Sequence, residues 1–235
     1  MKKFHGWLWL WIWRSVALFF ALLFLYQVWL FAHICWWVKY NPSSSAFMDT
    51  RLEIMQDKNP GATLQHQWVP YSRISDNLKR ALVTAEDSNF VDHEGFDWEG
   101  IQKAYVKNLR KGRIVAGGST ISQQLAKNLF LSTRRTPWRK IEEAAITLML
   151  EAVMDKQRIF EIYLNIIEWG NGVFGAEAAA RHYYQTSAAQ LTAEQAARLA
   201  AMVPNPRYYD KHREARGLQL KTGIIMERMN DAEIP

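Results

Sequence analysis

The sequence predicts a mainly α-helical domain standing behind one membrane-spanning helix. Three observations lead there. A long apolar run opens the chain, helix-start signals recur through the remainder, and strand signals are sparse.

The apolar run comes first. From Ser15 to Val38 only Ser15, Gln27 and His33 are clearly polar. At about 1.5 Å rise per residue the run is roughly 36 Å long, enough to cross a hydrocarbon core of about 30 Å with some tilt. Trp7, Trp9, Trp11 and Trp13 precede it, and Trp36, Trp37 and Tyr40 close it, as aromatic residues do at the two membrane interfaces. A cleaved signal peptide is the alternative. The run is longer than an apolar signal core of about 7–15 residues, and no small-x-small cleavage site follows. Lys2, Lys3 and Arg14 before the span predict a cytoplasmic N-terminus and an external domain, a bias tempered by Lys39, Arg51 and Lys58 after it.

The anchor also accounts for most of the positive charge. Four of the 29 basic residues and none of the 23 acidic ones lie in the first 41 positions. The rest of the chain is nearly balanced, which argues against a nucleic-acid partner. Cys35, the single cysteine, lies in the span, so no disulfide forms within the domain.

The expected boundaries are 1–40 for the N-terminus and anchor, 41–62 for a linker and juxtamembrane segment, and 63–235 for the domain. Asn41-Pro-Ser-Ser-Ser45 reads as linker. Leu78, Ala81, Leu82 and Ala85 give one helix face. Thr120-x-x-Gln123 and Thr192-x-x-Gln195 are capping boxes opening two more helices. Thr136-Pro137 opens another, with a cap residue before proline at the first helical position. Ile159, Ile162, Tyr163 and Ile166 form an apolar ridge, and Arg213–Met229 a last helix. Loops are expected at Asp87–Asp97, Gly112–Gly118 and Trp169–Gly175.

Four segments carry chemistry. In Glu86-Asp87-Ser88-Asn89-Phe90-Val91-Asp92-His93-Glu94-Gly95, Glu86 continues the Leu78–Leu82 ladder at the edge of an apolar face. Partial desolvation there would raise its pKa toward that of a working base; a helix-end acid paired with a base is the other reading. In Gly117-Gly118-Ser119-Thr120-Ile121-Ser122-Gln123-Gln124-Leu125-Ala126-Lys127-Asn128, two glycines feed a helix N-terminus, a place that favours anions. Thr120, Gln124 and Lys127 form one polar stripe, suited to a sugar or phosphate, or simply to water. The third segment, Trp138-Arg139-Lys140-Ile141-Glu142-Glu143, pairs Arg139 with Glu143 at i, i+4, which alone reads as a surface ion pair. The fourth, Lys156-x-x-Ile159-x-Glu161-x-Tyr163-Leu164-Asn165, reads mostly as packing.

In this order and spacing the four segments resemble the motifs of the peptidoglycan glycosyltransferase family, in its monofunctional biosynthetic transglycosylase branch, over roughly Thr63 to Tyr209. The resemblance implies a lysozyme-like glycosyltransferase domain with a smaller mobile lobe. It implies an enzyme that polymerises lipid II, a disaccharide-pentapeptide carried on polyprenyl pyrophosphate, into linear β-1,4 glycan strands with inversion at the donor MurNAc C1. Glu86 matches the family's catalytic base and Glu143 its second glutamate. Lys127 and Arg139 match pyrophosphate-contacting positions, with Lys140 a weaker candidate. Asp87, Phe90, His93, Thr120 and Gln124 match positions that line the site. The implied partners are lipid II, the growing glycan chain and membrane lipids at a bacterial inner membrane; the aromatic-rich anchor is a contact candidate for division or elongation proteins. The family leaves room for a divalent cation, Mg or Mn, but no metal-ligand cluster declares itself and no Asp-x-Asp occurs. Ile114 and Val115 are expected to dip toward the lipid surface.

Ser75-Asp76-Asn77 and Lys221-Thr222-Gly223 match two penicillin-binding signatures. No serine has lysine three positions later, so the nucleophile is missing and no transpeptidase activity is expected. The rival readings are a glycan-cleaving lysozyme-like enzyme, which would not need cations for a pyrophosphate, and a non-enzymatic membrane scaffold, which would not need the paired glutamates.

Overall fold

The computed structural model describes residues 2–113, 117–132 and 136–235. Ile114 and Val115 therefore lie outside the described residues. Backbone contacts divide the chain into two compact units, Met1–Tyr40 and Asn41–Pro235.

The first unit is helix α1, Lys2–Trp37. Its segment Trp9–Trp37 is long and apolar enough to cross a membrane, by length and composition. His33 Nδ1 lies 2.9 Å from the Trp29 carbonyl one turn back.

The second unit is mainly helical. In chain order it contains α2 (Ala46–Gln56), strand β1 (Gln65–His66), α3 (Asp76–Glu86), α4 (Trp98–Lys111), α5 (Ile121–Phe130), α6 (Pro137–Val153) and α7 (Lys156–Ile166). Strands β2 (Glu168–Gly170) and β3 (Val173–Phe174) follow, then α8 (Ala176–Tyr184), α9 (Ala193–Met202), α10 (Pro206–Lys211) and α11 (Arg216–Arg228). The strands make a small sheet ordered β1-β3-β2, β1 parallel and β2 antiparallel to β3.

The helix starts follow local side-chain chemistry. Thr120 and Thr192 both close capping boxes with Gln123 and Gln195, and Thr136 caps α6 with Pro137 in its first turn. Ser75-Asp76-Asn77 is the start of α3: Ser75 caps it, and Asn77 Nδ2 donates to the Leu191 carbonyl at 3.0 Å. That tripeptide is spent on folding.

Three expectations need correction. The 41–62 segment contains α2, whose N-cap is Ser45 and which packs on α5, so the serine run is a helix start as well as a linker. The Trp169–Gly175 loop holds β2 and β3. The last helix begins at Arg216, after a separate short helix, α10, that Pro206 opens.

The core runs between α3, α9 and α11 on one side and α5, α6 and α7 on the other. Leu78, Leu82, Ile121, Leu125, Ile146, Phe160 and Leu199 are fully buried in it. Asn165, also fully buried, fastens α7 to the segment before α3: its side chain accepts from Val69 N at 2.9 Å and donates to Val69 O at 3.0 Å. A buried amide serving both ends of a backbone group leaves neither unsatisfied.

Candidate active site

Glu86 is the last residue of α3 and Asp87 its C-cap. Asp87 turns back into the fold. Its carboxylate accepts from Ile121 N, in the first turn of α5, at 2.9 Å and lies 3.0 Å from His93 Nε2. A carboxylate at a helix N-terminus satisfies a free backbone donor and meets the positive end of the dipole. Asp87 thereby locks the end of α3 onto the start of α5. That start is held again by Thr120, whose hydroxyl donates to the Gly95 carbonyl at 2.7 Å. Gly95 has φ +86°, and a Cβ there would lie 2.8 Å from Thr147 Cγ2, so only glycine fits.

The two helices so joined bring Glu86 against Gln124. Gln124 Nε2 donates to Glu86 Oε2 at 2.7 Å, and Tyr163 on α7 donates from its hydroxyl to Gln124 Oε1 at 3.1 Å. Glu86 Oε1 is shielded from solvent and has no hydrogen-bond partner among the described residues. The residue as a whole is half-buried, but its carboxylate is not free in water. Burial pushes the Glu86 carboxyl above the ordinary carboxylate range and Asp87 adds to the rise, while the Gln124 hydrogen bond and the charges of Lys127 and Lys221 oppose it.

Glu143, on α6, is buried at 3% exposure yet surrounded by charge. Arg139 Nη1 lies 3.4 Å from its Oε2, and Lys140 Nζ bonds its Oε1. The i, i+4 pair seen in the sequence is therefore not a surface pair. Lys140 also reaches Ser119 Oγ at 3.4 Å. Arg139 Nε is shielded and without a hydrogen-bond partner among the described residues. Lys127, on α5, feels Glu143, Arg139 and Lys140 on one side and Glu86 on another. Burial first, then the two neighbouring cations, push its ammonium pKa down against the pull of the carboxylates.

Two cavities flank this meeting point. One, of about 480 Å³, is lined by Gln124, Lys127, Arg139, Lys140 and Glu143, and also by Glu168 and Arg207. The other, of about 200 Å³, is lined by Thr84, Glu86, Asp87, Asp97 and the Gly117–Thr120 turn. Ser119 borders both. One cavity thus presents four cations, Arg207 among them, and the other an incompletely bonded carboxylate.

A model of the transglycosylase family matches residues 53–230. The chain belongs to the transglycosylase family. Its match starts inside α2 and reaches past α11, so the family's domain takes in more of the chain than the four motifs do. Among similar proteins, the biosynthetic peptidoglycan transglycosylase of Methylobacillus flagellatus is 70% identical over 94% of this chain and 97% of its own length. Those of Laribacter hongkongensis and Chromobacterium violaceum are 67% and 62% identical over the same shares.

Not every expected residue of this transglycosylase faces a cavity. Glu86, Asp87, Thr120, Gln124, Lys127, Arg139, Lys140 and Glu143 do. Phe90 and His93 line neither one. Phe90 is fully buried, with its ring centroid 5.5 Å from that of Phe160, and His93 is turned onto Asp87. Both support the Glu86–Gly95 turn from behind, so their expected place in the lining is corrected to a place beneath it. Two features escaped the sequence. Glu168 meets Arg51 at 3.1 Å and Arg207 at 3.6 Å beside the cationic cavity. Tyr163 was read as packing; the signal was its hydroxyl, since a buried tyrosine oxygen needs a partner.

Among the described residues no group of three or more His, Cys, Asp or Glu side chains is placed to hold a metal ion. The cations of the larger cavity are already protein side chains.

Proposed function

We propose that this transglycosylase polymerises lipid II into linear β-1,4 glycan strands of peptidoglycan, inverting at C1 of the donor MurNAc and releasing polyprenyl pyrophosphate. The observation that carries the reading is the pairing of the two cavities: a buried, incompletely bonded carboxylate on one side of Ser119 and a cluster of cations that includes Lys127, Arg139 and Lys140 on the other.

In this reading the Glu86 carboxylate receives the proton of the acceptor 4-hydroxyl. The freed oxygen attacks C1 from the face opposite the leaving group, and the C1–O bond to pyrophosphate breaks with its electron pair. The departing pyrophosphate gains negative charge. Lys127, Arg139 and Lys140 stabilise that charge more in the transition state than in the ground state, which is what lowers a barrier. Glu143 holds Arg139 and Lys140 in place between turnovers. A base titrating above the ordinary carboxylate range is better matched to neutral pH than a free glutamate.

The same reading sets the location. The apolar helix is a single-pass anchor, and the basic residues before it favour a cytoplasmic N-terminus with the catalytic domain outside the bacterial inner membrane. A lipid-borne substrate is then met by diffusion in two dimensions. Helix α4 suits the same surface: it exposes Trp98, Tyr105 and Leu109 and carries Lys103, Lys107, Arg110 and Lys111.

The test is polymerisation of purified lipid II by wild type and Glu86→Gln. Wild type should yield glycan strands and the variant should lose about 10²–10⁴-fold in rate. Shortening of isolated sacculi without lengthening of lipid II would instead make it a glycan-cleaving enzyme.

A further inference from the structure

The hydrogen-bond chain behind Glu86 has a direction. Tyr163 sits on α7, fully buried, with its ring stacked on Phe160. Its hydroxyl makes one hydrogen bond among the described residues, to Gln124 Oε1, and the amide's other end meets Glu86 Oε2. The two ends of an amide are not equivalent. While Tyr163 donates to the oxygen, the NH₂ faces Glu86, and an N–H donor there favours the ionised carboxylate, the stronger acceptor, over the neutral carboxyl.

We infer that Tyr163 is a positioning residue for the reaction: through Gln124 it fixes the amide orientation that Glu86 meets, and so favours the ionised, proton-accepting form of Glu86. The inference rests on the role proposed above for Glu86.

The reverse arrangement is costly. With Gln124 Oε1 turned toward Glu86, the carboxyl would have to carry a proton. Tyr163 would then accept from the NH₂, leaving its own hydroxyl proton buried without an acceptor. An unmade hydrogen bond of that kind costs more than a typical made one contributes. Tyr163 also keeps its proton. Burial, and after it the charges of Glu86 and Asp87, push the hydroxyl well above its ordinary value.

The other groups facing Glu86 do not fix its state in the same way. Asp87, at the same helix end, opposes ionisation. Lys127 from α5 and Lys221 from α11 favour it, but through charge alone. Gln124 supplies the one hydrogen bond that the carboxylate receives among the described residues. Control of the amide is therefore control of the base. It also explains why a hydroxyl sits on the otherwise apolar ridge of Ile159, Ile162 and Ile166.

Tyr163→Phe removes only the hydroxyl and leaves the ring in its stack. The experiment uses the full chain in detergent micelles and reads two quantities. One is the titration of the ¹³C-labelled Glu86 carboxyl by NMR, and the other is the pH profile of kcat/KM for lipid II polymerisation. In Tyr163→Phe the Glu86 titration should move up by about one pH unit, as expected for loss of part of a charge-assisted hydrogen bond. The acid limb of the profile should move with it. Gln124→Leu should raise the titration too, and Tyr163→Phe added to it should move it no further. A Glu86 titration unchanged in folded Tyr163→Phe, or a further rise in the double variant, overturns the inference. If the titration moves and the acid limb does not, the relay stands and Glu86 is not the base.

Discussion

Glu86 and Glu143 face adjoining cavities from two helices, and their surroundings are opposite. Glu86 has one amide donor and one bare oxygen. Glu143 is held at both oxygens by cations, Arg139 on one and Lys140 on the other. A carboxylate left short of donors prefers to be protonated, and so is fit to take a proton. One that is held at both oxygens by cations serves as an anchor for them. The family motifs mark both as glutamates; only the partners separate their tasks.

The largest test of that difference is catalytic. Glu86→Gln should lose about 10²–10⁴-fold in polymerisation rate, because an amide cannot take the proton. Lys127→Ala should cost about 1.5–3 kcal/mol, or about 10–100-fold in kcat/KM at subsaturating lipid II, if it meets charged pyrophosphate. An unchanged rate would place the anion elsewhere in the cavity. The Lys127 ammonium titrates below its ordinary value, so its charge is lost as pH rises through that lowered pKa. Lys127→Arg, which stays charged, should extend activity to higher pH in the kcat/KM profile.

How these two environments could be read from sequence differs as well. Glu143, Arg139 and Lys140 lie within one helical turn or so, and helical spacing alone pairs them. The helix starts are equally local: Thr120, Thr136 and Thr192 each announce a helix within three residues. Glu86 depends on Gln124 and Tyr163, which are 38 and 39 positions away from their partners in the chain. No local period encodes such a contact. The same limit hid α8, whose first five residues, Ala-Glu-Ala-Ala-Ala, are all buried by contacts distant in the chain. It hid β1, β2 and β3, which are too short to show alternation. Helix α4 went unread for another reason: it follows an expected loop and carries Gly100 in its first turn, where the backbone amide serves the Asp97 cap at 2.8 Å.

Stability should separate the two glutamates by sign. Glu143→Gln leaves Arg139 and Lys140 without a counter-charge in a largely shielded place. The cost should be about 1–3 kcal/mol, limited by the solvent exposure of Lys140. A denaturant midpoint equal to wild type would mean that the cation clamp contributes nothing to folding.

Glu86→Gln should do the reverse, and more weakly. The folded-state pKa of Glu86 is raised, so the folded chain binds this proton more tightly than the unfolded chain does. The associated stability is fully present below the unfolded carboxylate pKa and is lost as pH rises through the folded pKa. At neutral pH the ionised group is therefore a burden on the fold. Glutamine keeps an oxygen for Gln124 Nε2 and carries no charge to desolvate. It should stabilise the domain by about 1 kcal/mol at neutral pH, a gain typical of relieving a strained functional group. In a domain of this size that is about 2–4 °C in Tm. The advantage should close as pH falls below the ordinary carboxylate range, where wild type is protonated too. A variant less stable than wild type at neutral pH would show that Glu86 is held as firmly as Glu143, and the distinction between a poised base and a saturated anchor would fail.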